Sequence, residues 1–183
     1  MSLLRTGLVG ALALVILLPA CQNTSEPLAP GDRDQVIPPP FFTLGSGSTS
    51  TLLGRAAFGD SNGETFKVKR MTGDWHVEIK AKPVTDIAVQ SIVFQPGGQS
   101  GWHSHPGPVF IQVVSGTMTF YESDDPTCTP IVRTAGYGYL DVGEHAHIAR
   151  NETAAPAQNI VTYFAPSGAA LRIDEPRPGN CPF

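Results

Sequence analysis

Charge is scarce in this chain. Only 15% of its 183 residues are Asp, Glu, Lys or Arg, and the 12 Lys and Arg gather nowhere. A protein that meets phosphate backbones needs such a cluster. With a formal net charge of −4 as well, nucleic acid is excluded as a partner. Long apolar runs are missing too. The one apolar run of note, Gly7 to Leu18, has about 12 residues where a bilayer span needs about 20. It follows Arg5 and suits the core of a signal peptide instead. No stretch of useful length carries a helical period, and no internal repeat is visible.

Glycine and proline are plentiful, at 19 and 17 residues. With 41% hydrophobic residues, that mix suits short strands joined by tight turns. Residues 1–20 read as a signal peptide. The run ends in Leu18-Pro19-Ala20-Cys21, which resembles a bacterial lipobox. That resemblance implies a lipid on Cys21 and anchoring to the cell membrane or outer membrane, in an extracytoplasmic location. The alternative is plain secretion after cleavage near Ala20. Residues 21–50, with Pro27, Pro30, Pro38-Pro39-Pro40 and Gly45-Ser46-Gly47-Ser48, read as a disordered tether. Residues 51–183 form the domain. It opens with a short N-terminal arm or helical turn over Leu52 to Phe58.

The cysteine count fits export. With Cys21 lipidated, Cys128 and Cys181 are left as an even pair in an oxidising compartment. They are expected to form a disulfide tying the C-terminal tail to the loop after Tyr121. By loop length such a bridge is worth about 3–4 kcal/mol.

From Phe66 onward the pattern is that of β-strands. Phe66 to Met71 and Trp75 to Ala81 flank the turn Thr72-Gly73-Asp74. Ile87 to Gln95 is an apolar strand stopped by Pro96-Gly97-Gly98. Gly101 to His105, Val109 to Val114, Thr117 to Glu122, Ile131 to Thr134, Tyr137 to Val142, His147 to Arg150 and Asn159 to Phe164 follow. About ten short strands with turn signals between them predict an antiparallel sandwich or barrel.

The chemistry gathers in Gly101-Trp102-His103-Ser104-His105-Pro106-Gly107-Pro108. In an extended strand, histidines at i and i+2 point to one face, and two imidazoles on one face are half of a metal site. The second half is sought in Gly143-Glu144-His145-Ala146-His147-Ile148-Ala149-Arg150-Asn151. Trp102 and Ser104 alternate with the histidines and point away. Trp102 is expected to pack against an outer sheet or the tail. His76 reads as a half-exposed strand histidine, and Asp124-Asp125 as a solvated turn.

These two stretches resemble the paired motifs of the cupins. The first runs from Pro96-Gly97-Gly98 through His103-Ser104-His105-Pro106-Gly107 to Gly116. The second runs from Gly136 through Gly143 to His147 and Asn151. His-Ser-His-Pro-Gly before an apolar strand is also similar to the germin version. The resemblance covers about residues 85 to 165. It implies an all-β fold, a double-stranded β-helix of the jelly-roll kind. It also implies metal ligation by His103, His105 and His147. His145, two residues before His147, is the alternate third ligand or a fourth.

Most metal cupins place a Glu where this chain has Val109, which cannot ligate. The expected site is therefore three histidines without a carboxylate. Neutral imidazoles suit a divalent transition metal, Fe, Mn, Zn, Cu or Ni. Tyr139, Arg150 and Asn151 are candidates to hold the ligands from outside, and Arg150 has surface partners in Glu144 or Asp141.

The resemblance implies a metal-dependent enzyme, an oxygenase or isomerase, acting on an unnamed small molecule. The alternative is a non-catalytic small-molecule or metal-binding module at the cell surface, and a storage role of the germin kind is a third. No catalytic residue beyond the metal ligands is identified. A homodimer through sheet edges is compatible with the pattern.

Overall fold

A computed structural model of the chain describes residues 42–59 and 66–183. The signal peptide, Cys21 and the tether up to residue 41 lie outside the described residues.

The described residues form twelve strands and no helix. They are β1 (Ser46–Phe58), β2 (Phe66–Thr72), β3 (Trp75–Ala81), β4 (Thr85–Gln99), β5 (His103–Ser104) and β6 (Val109–Ser115). After these come β7 (Thr117–Glu122), β8 (Ile131–Thr134), β9 (Gly138–Asp141), β10 (His147–Arg150), β11 (Ala157–Pro166) and β12 (Ile173–Asp174). The fold is the expected all-β jelly-roll barrel. Ten strands make one antiparallel sheet in the order β12-β5-β10-β4-β11-β6-β9. β1 pairs with β4, and the β7–β8 pair is added on β10. β2 and β3 form a separate hairpin turned at Thr72 to Trp75.

Strict alternation builds the core. Along β11, Ala157, Asn159, Val161, Tyr163 and Ala165 point inward, and along β6 Val109, Ile111 and Val113 do the same. Gln112 stands on the opposite, exposed face, as its place in the alternation requires. Val109, Ile111, Val113, Ala157, Val161 and Tyr163 pack with Phe94, Met118, Phe120 and Tyr139 into one apolar cluster. β6 turns into β7 at Gly116. Its φ of +74° is open to glycine, and a Cβ there would press on Pro156 and Ala157.

A second, smaller cluster lies behind the histidine strand. Trp102 is fully buried there with Tyr121, Ile148 and Cys181, and its indole nitrogen faces the Phe183 carbonyl. The Cys128–Cys181 disulfide closes this cluster across 53 residues, with Cα atoms 5.3 Å apart. The C-terminal tail is thus pinned where the sequence places it.

Three boundaries differ from expectation. Residues 46–50, assigned to the tether, belong to β1, and Leu52 to Phe58 extends that strand instead of making a helical turn. β1 runs from Ser46 opposite Gln99 to Phe58 opposite Thr85 and is exposed along its whole length. Its side chains bury nothing, so no periodicity marks it. β4 continues through Pro96-Gly97-Gly98. The backbone of Asn151 meets it there, with Gly97 N–H donating to Asn151 and Asn151 N–H to Gly98. The third is β12, a two-residue strand that pairs with β5 and carries no pattern of its own.

Candidate metal centre

The site begins at Gly101. Its φ is +72°, and any Cβ would run into the Thr43 carbonyl. The Thr43 hydroxyl accepts from Trp102 N–H at 2.8 Å. Trp102 is held in the cluster behind, so the alternation turns His103 and His105 into the barrel. His147 on β10 lies directly opposite His103, and opposite residues of an antiparallel pair share a face. All three imidazoles are buried. Their ring centroids are 4.4, 4.8 and 5.2 Å apart. One potential ligand nitrogen from each lies within 4.8 Å of the others.

Hydrogen bonds from behind decide which nitrogen each ring offers. His103 Nδ1 is 2.8 Å from the Gly101 carbonyl, and His105 Nδ1 is 2.6 Å from the Leu171 carbonyl. A carbonyl only accepts, so both Nδ1 atoms carry the proton and both Nε2 lone pairs are free.

Asp141 joins the site without any signal in the strand alternation or the motif spacing. This residue on β9 is only 2% exposed, not at the surface as a partner for Arg150. Its Oδ2 lies 3.0 Å from His147 Nδ1 and 3.8 Å from His105 Nε2. The contact with His147 is close but not aligned as a hydrogen bond. Asp141 Oδ2 and His147 Nδ1 therefore both lack a hydrogen-bond partner among the described residues. Burial pushes the Asp141 carboxyl up, but His147 and the Gly143 N–H outweigh it and hold it below the ordinary value. Asp141 is therefore a buried carboxylate. The group of candidate ligands holds three histidines and no carboxylate, as expected with Val109 at the motif position, and Asp141 stands beside it from β9, which pairs Asp141 with Val109 across strands.

Of the other candidates, His145 does not join the three. Its Nε2 sits 2.7 Å from Glu122 and 3.3 Å from Asp124, in a separate, more exposed group. The Tyr139 and His147 ring centroids lie 5.8 Å apart in a T-shaped arrangement, but the Tyr139 hydroxyl donates to Glu122. Arg150 pairs with Glu152 at 2.9 Å and lies over the Phe183 ring. Asn151 donates to the Phe94 and Gln95 carbonyls and holds the loop. None of these three grips a ligand imidazole. That work falls to the Gly101 and Leu171 carbonyls, with the Asp141 carboxylate lying against His147, and a carbonyl has no signature in sequence. His76 stands half-exposed on β3, 4.0 Å from Glu78, and Asp125 accepts from Thr127 and Thr129 in a turn.

Burial is the main cause that pushes His105 down to about 4, and His147 beside it adds to the shift. His103 is held well below the ordinary imidazole value by the same two causes in the same order. Both rings are neutral near pH 7, as metal ligands must be. The acid side follows with a definite sign. The unfolded chain takes up protons near pH 6.5, while folded His105 does not until about pH 4. In that window the unfolded state binds more protons, so stability falls with pH. At 1.36 kcal/mol per unit, His105 alone costs the metal-free protein roughly 3 kcal/mol between pH 7 and pH 4. Thermal melts of chelator-treated protein should fall across this window, and His105→Ala should flatten the fall. Equal slopes in the two proteins would contradict it.

No protein-family model matches the chain, and no curated protein does. Solved structures do. A cupin domain of an XRE-family transcriptional regulator from Enterobacter cloacae is 15% identical, covering 66% of this chain and 98% of that one, at a TM-score of 0.41. An uncharacterised double-stranded β-helix protein from Klebsiella pneumoniae is 20% identical, covering 64% and 90%, at 0.43. The polyketide cyclase RemF from Streptomyces resistomycificus is 12% identical, covering 70% and 72%, at 0.45. A likeness at these scores carries no argument about this chain's chemistry. The functional reading therefore rests on three buried imidazoles and one buried carboxylate of this chain.

Proposed function

We propose that the chain is an exported cupin that holds one divalent transition metal on His103, His105 and His147 and presents it to a small molecule. The single observation that carries this reading is the set of unused polar atoms. The Nε2 lone pairs of His103 and His105 are unused, in a group whose candidate ligand atoms lie within 4.8 Å of one another, beside a buried Asp141 whose Oδ2 has no aligned donor. Buried charge without a full partner is costly, and a cation among these groups removes the cost. The donor set suits Fe, Mn, Zn, Cu or Ni. Gly101, Leu171 and Asp141 would hold the three rings in place, the outer contacts that metal-bound imidazoles need. A bound ion would supply a Lewis acid, or a redox centre if it is iron or copper. Three ligands leave positions open, which favours an enzyme, an oxygenase or isomerase, over a closed structural site.

The Cys128–Cys181 bridge supports export, because such bonds persist in oxidising compartments. Lipid on Cys21 and a membrane anchor complete the reading. A homodimer through the exposed edge of β1 belongs to it as well.

The open coordination is tested with cobalt and azide. Protein loaded with one equivalent of Co²⁺ should shift its visible spectrum on azide addition. A cobalt spectrum indifferent to azide would mean a closed, structural ion and would overturn the reading.

A further inference from the structure

The barrel opens at the histidines into a cavity of about 230 Å³. Its wall includes His103, His105, Gln90, Tyr163, Ser50 and Arg172. No carboxylate lines it among the described residues. Arg172 reaches this wall through the tail. Ile173 pairs with Ser104 across β12 and β5, so Arg172, one residue earlier, lies alongside His105. The Leu171 carbonyl that grips His105 fixes the same stretch. Asp174 accepts from Arg172 Nε at 2.6 Å. Asp174 is thus an ion-pair partner on one edge of a partly exposed guanidinium, and the two terminal nitrogens have no hydrogen-bond partner among the described residues.

We infer that Arg172 is the anchor for an organic anion, a small carboxylate held at one end by the guanidinium with its other end against His103 and His105, the two site histidines that line the cavity.

Four features support this. The free edge of a guanidinium fits a carboxylate with two parallel hydrogen bonds. Gln90 adds a second polar group to the wall: its Oε1 accepts from the Tyr163 hydroxyl at 2.9 Å, leaving its amide N–H groups as donors. The volume bounds the ligand, because drug-sized pockets run from about 300 Å³ upward and this one is smaller. The Arg172 charge is also felt by the site. Burial and His147 come first in holding His103 and His105 down, and Arg172 adds to both.

The inference rests on the proposed metal site for the role of the histidines, but not for the anchor itself. Its test is calorimetric. The full mature chain, with and without one equivalent of Mn²⁺, is titrated with malonate, with its neutral analogue malonamide and with inorganic phosphate. Wild type should bind malonate, bind it more tightly with Mn²⁺, and ignore malonamide. Arg172→Met should keep its Mn²⁺ stoichiometry and bind malonate at least tenfold more weakly. Arg172→Lys, which keeps the charge and loses the fork, should fall between the two. If Mn²⁺ does not bind but the metal-free wild type still binds malonate and Arg172→Met does not, the anchor stands and the metal reading alone fails. Equal malonate affinity in wild type and Arg172→Met overturns the anchor. So does a wild type that binds no malonate in either form. Phosphate binding tighter than malonate overturns the carboxylate class.

Discussion

The double substitution His103→Ala/His105→Ala should abolish metal binding while the barrel stays folded. Removing one outer partner of a metal-bound imidazole costs 10–100-fold in affinity, and this change removes two ligands outright, so a fall of at least about 1000-fold is expected. The fold survives because the main apolar cluster does not include these rings. What is lost behind them is two hydrogen bonds, to the Gly101 and Leu171 carbonyls. Equilibrium dialysis reads the metal, and far-ultraviolet circular dichroism reads the fold. A variant that still holds one equivalent would place the ion elsewhere. The natural suspect would then be the exposed group of Glu122, Asp124 and His145. A variant that unfolds would make the histidines structural.

The second large effect lies in the tail. Cys128→Ala/Cys181→Ala opens a loop of 53 residues, which in the chain-entropy account costs about 4 kcal/mol. For a domain of this size each kcal/mol moves Tm by roughly 2–4 °C. Differential scanning calorimetry should therefore show Tm lower by roughly 8–16 °C. A change under about 3 °C would show that the small cluster around Trp102, Tyr121 and Ile148 holds the tail unaided. The same variant should bind metal more weakly, since the tail carries the Leu171 carbonyl that orients His105.

The tail also shows where sequence reading stops. His103 and His105 were legible because alternation in a strand is a strong local rule, and Trp102 between them falls on the opposite side as that rule demands. His147 was legible from its spacing to Asn151, but Asn151 itself serves the loop at Phe94 and Gln95 and not the site. Asp141 was not legible. It lies six residues before His147, at the end of β9, and reaches the site only because β9 pairs with β6 across the barrel. Long-range pairing of that kind leaves no trace in one sequence. Leu171 and Arg172 were missed for a similar reason. β12 is two residues long and owes its place to backbone bonds with β5. β1 shows the opposite failure. Its serines and threonines suggested a tether, yet its backbone completes the edge of β4 while its side chains stay in water.

Metal content tests the central claim most directly. The chain would be purified without a histidine tag from its exported location and assayed by elemental mass spectrometry. About one transition-metal ion per chain is expected, lost in His103→Ala. A folded wild-type protein that carries no metal, and takes none up when Fe²⁺, Mn²⁺, Zn²⁺, Cu²⁺ and Ni²⁺ are offered in turn, would contradict the account.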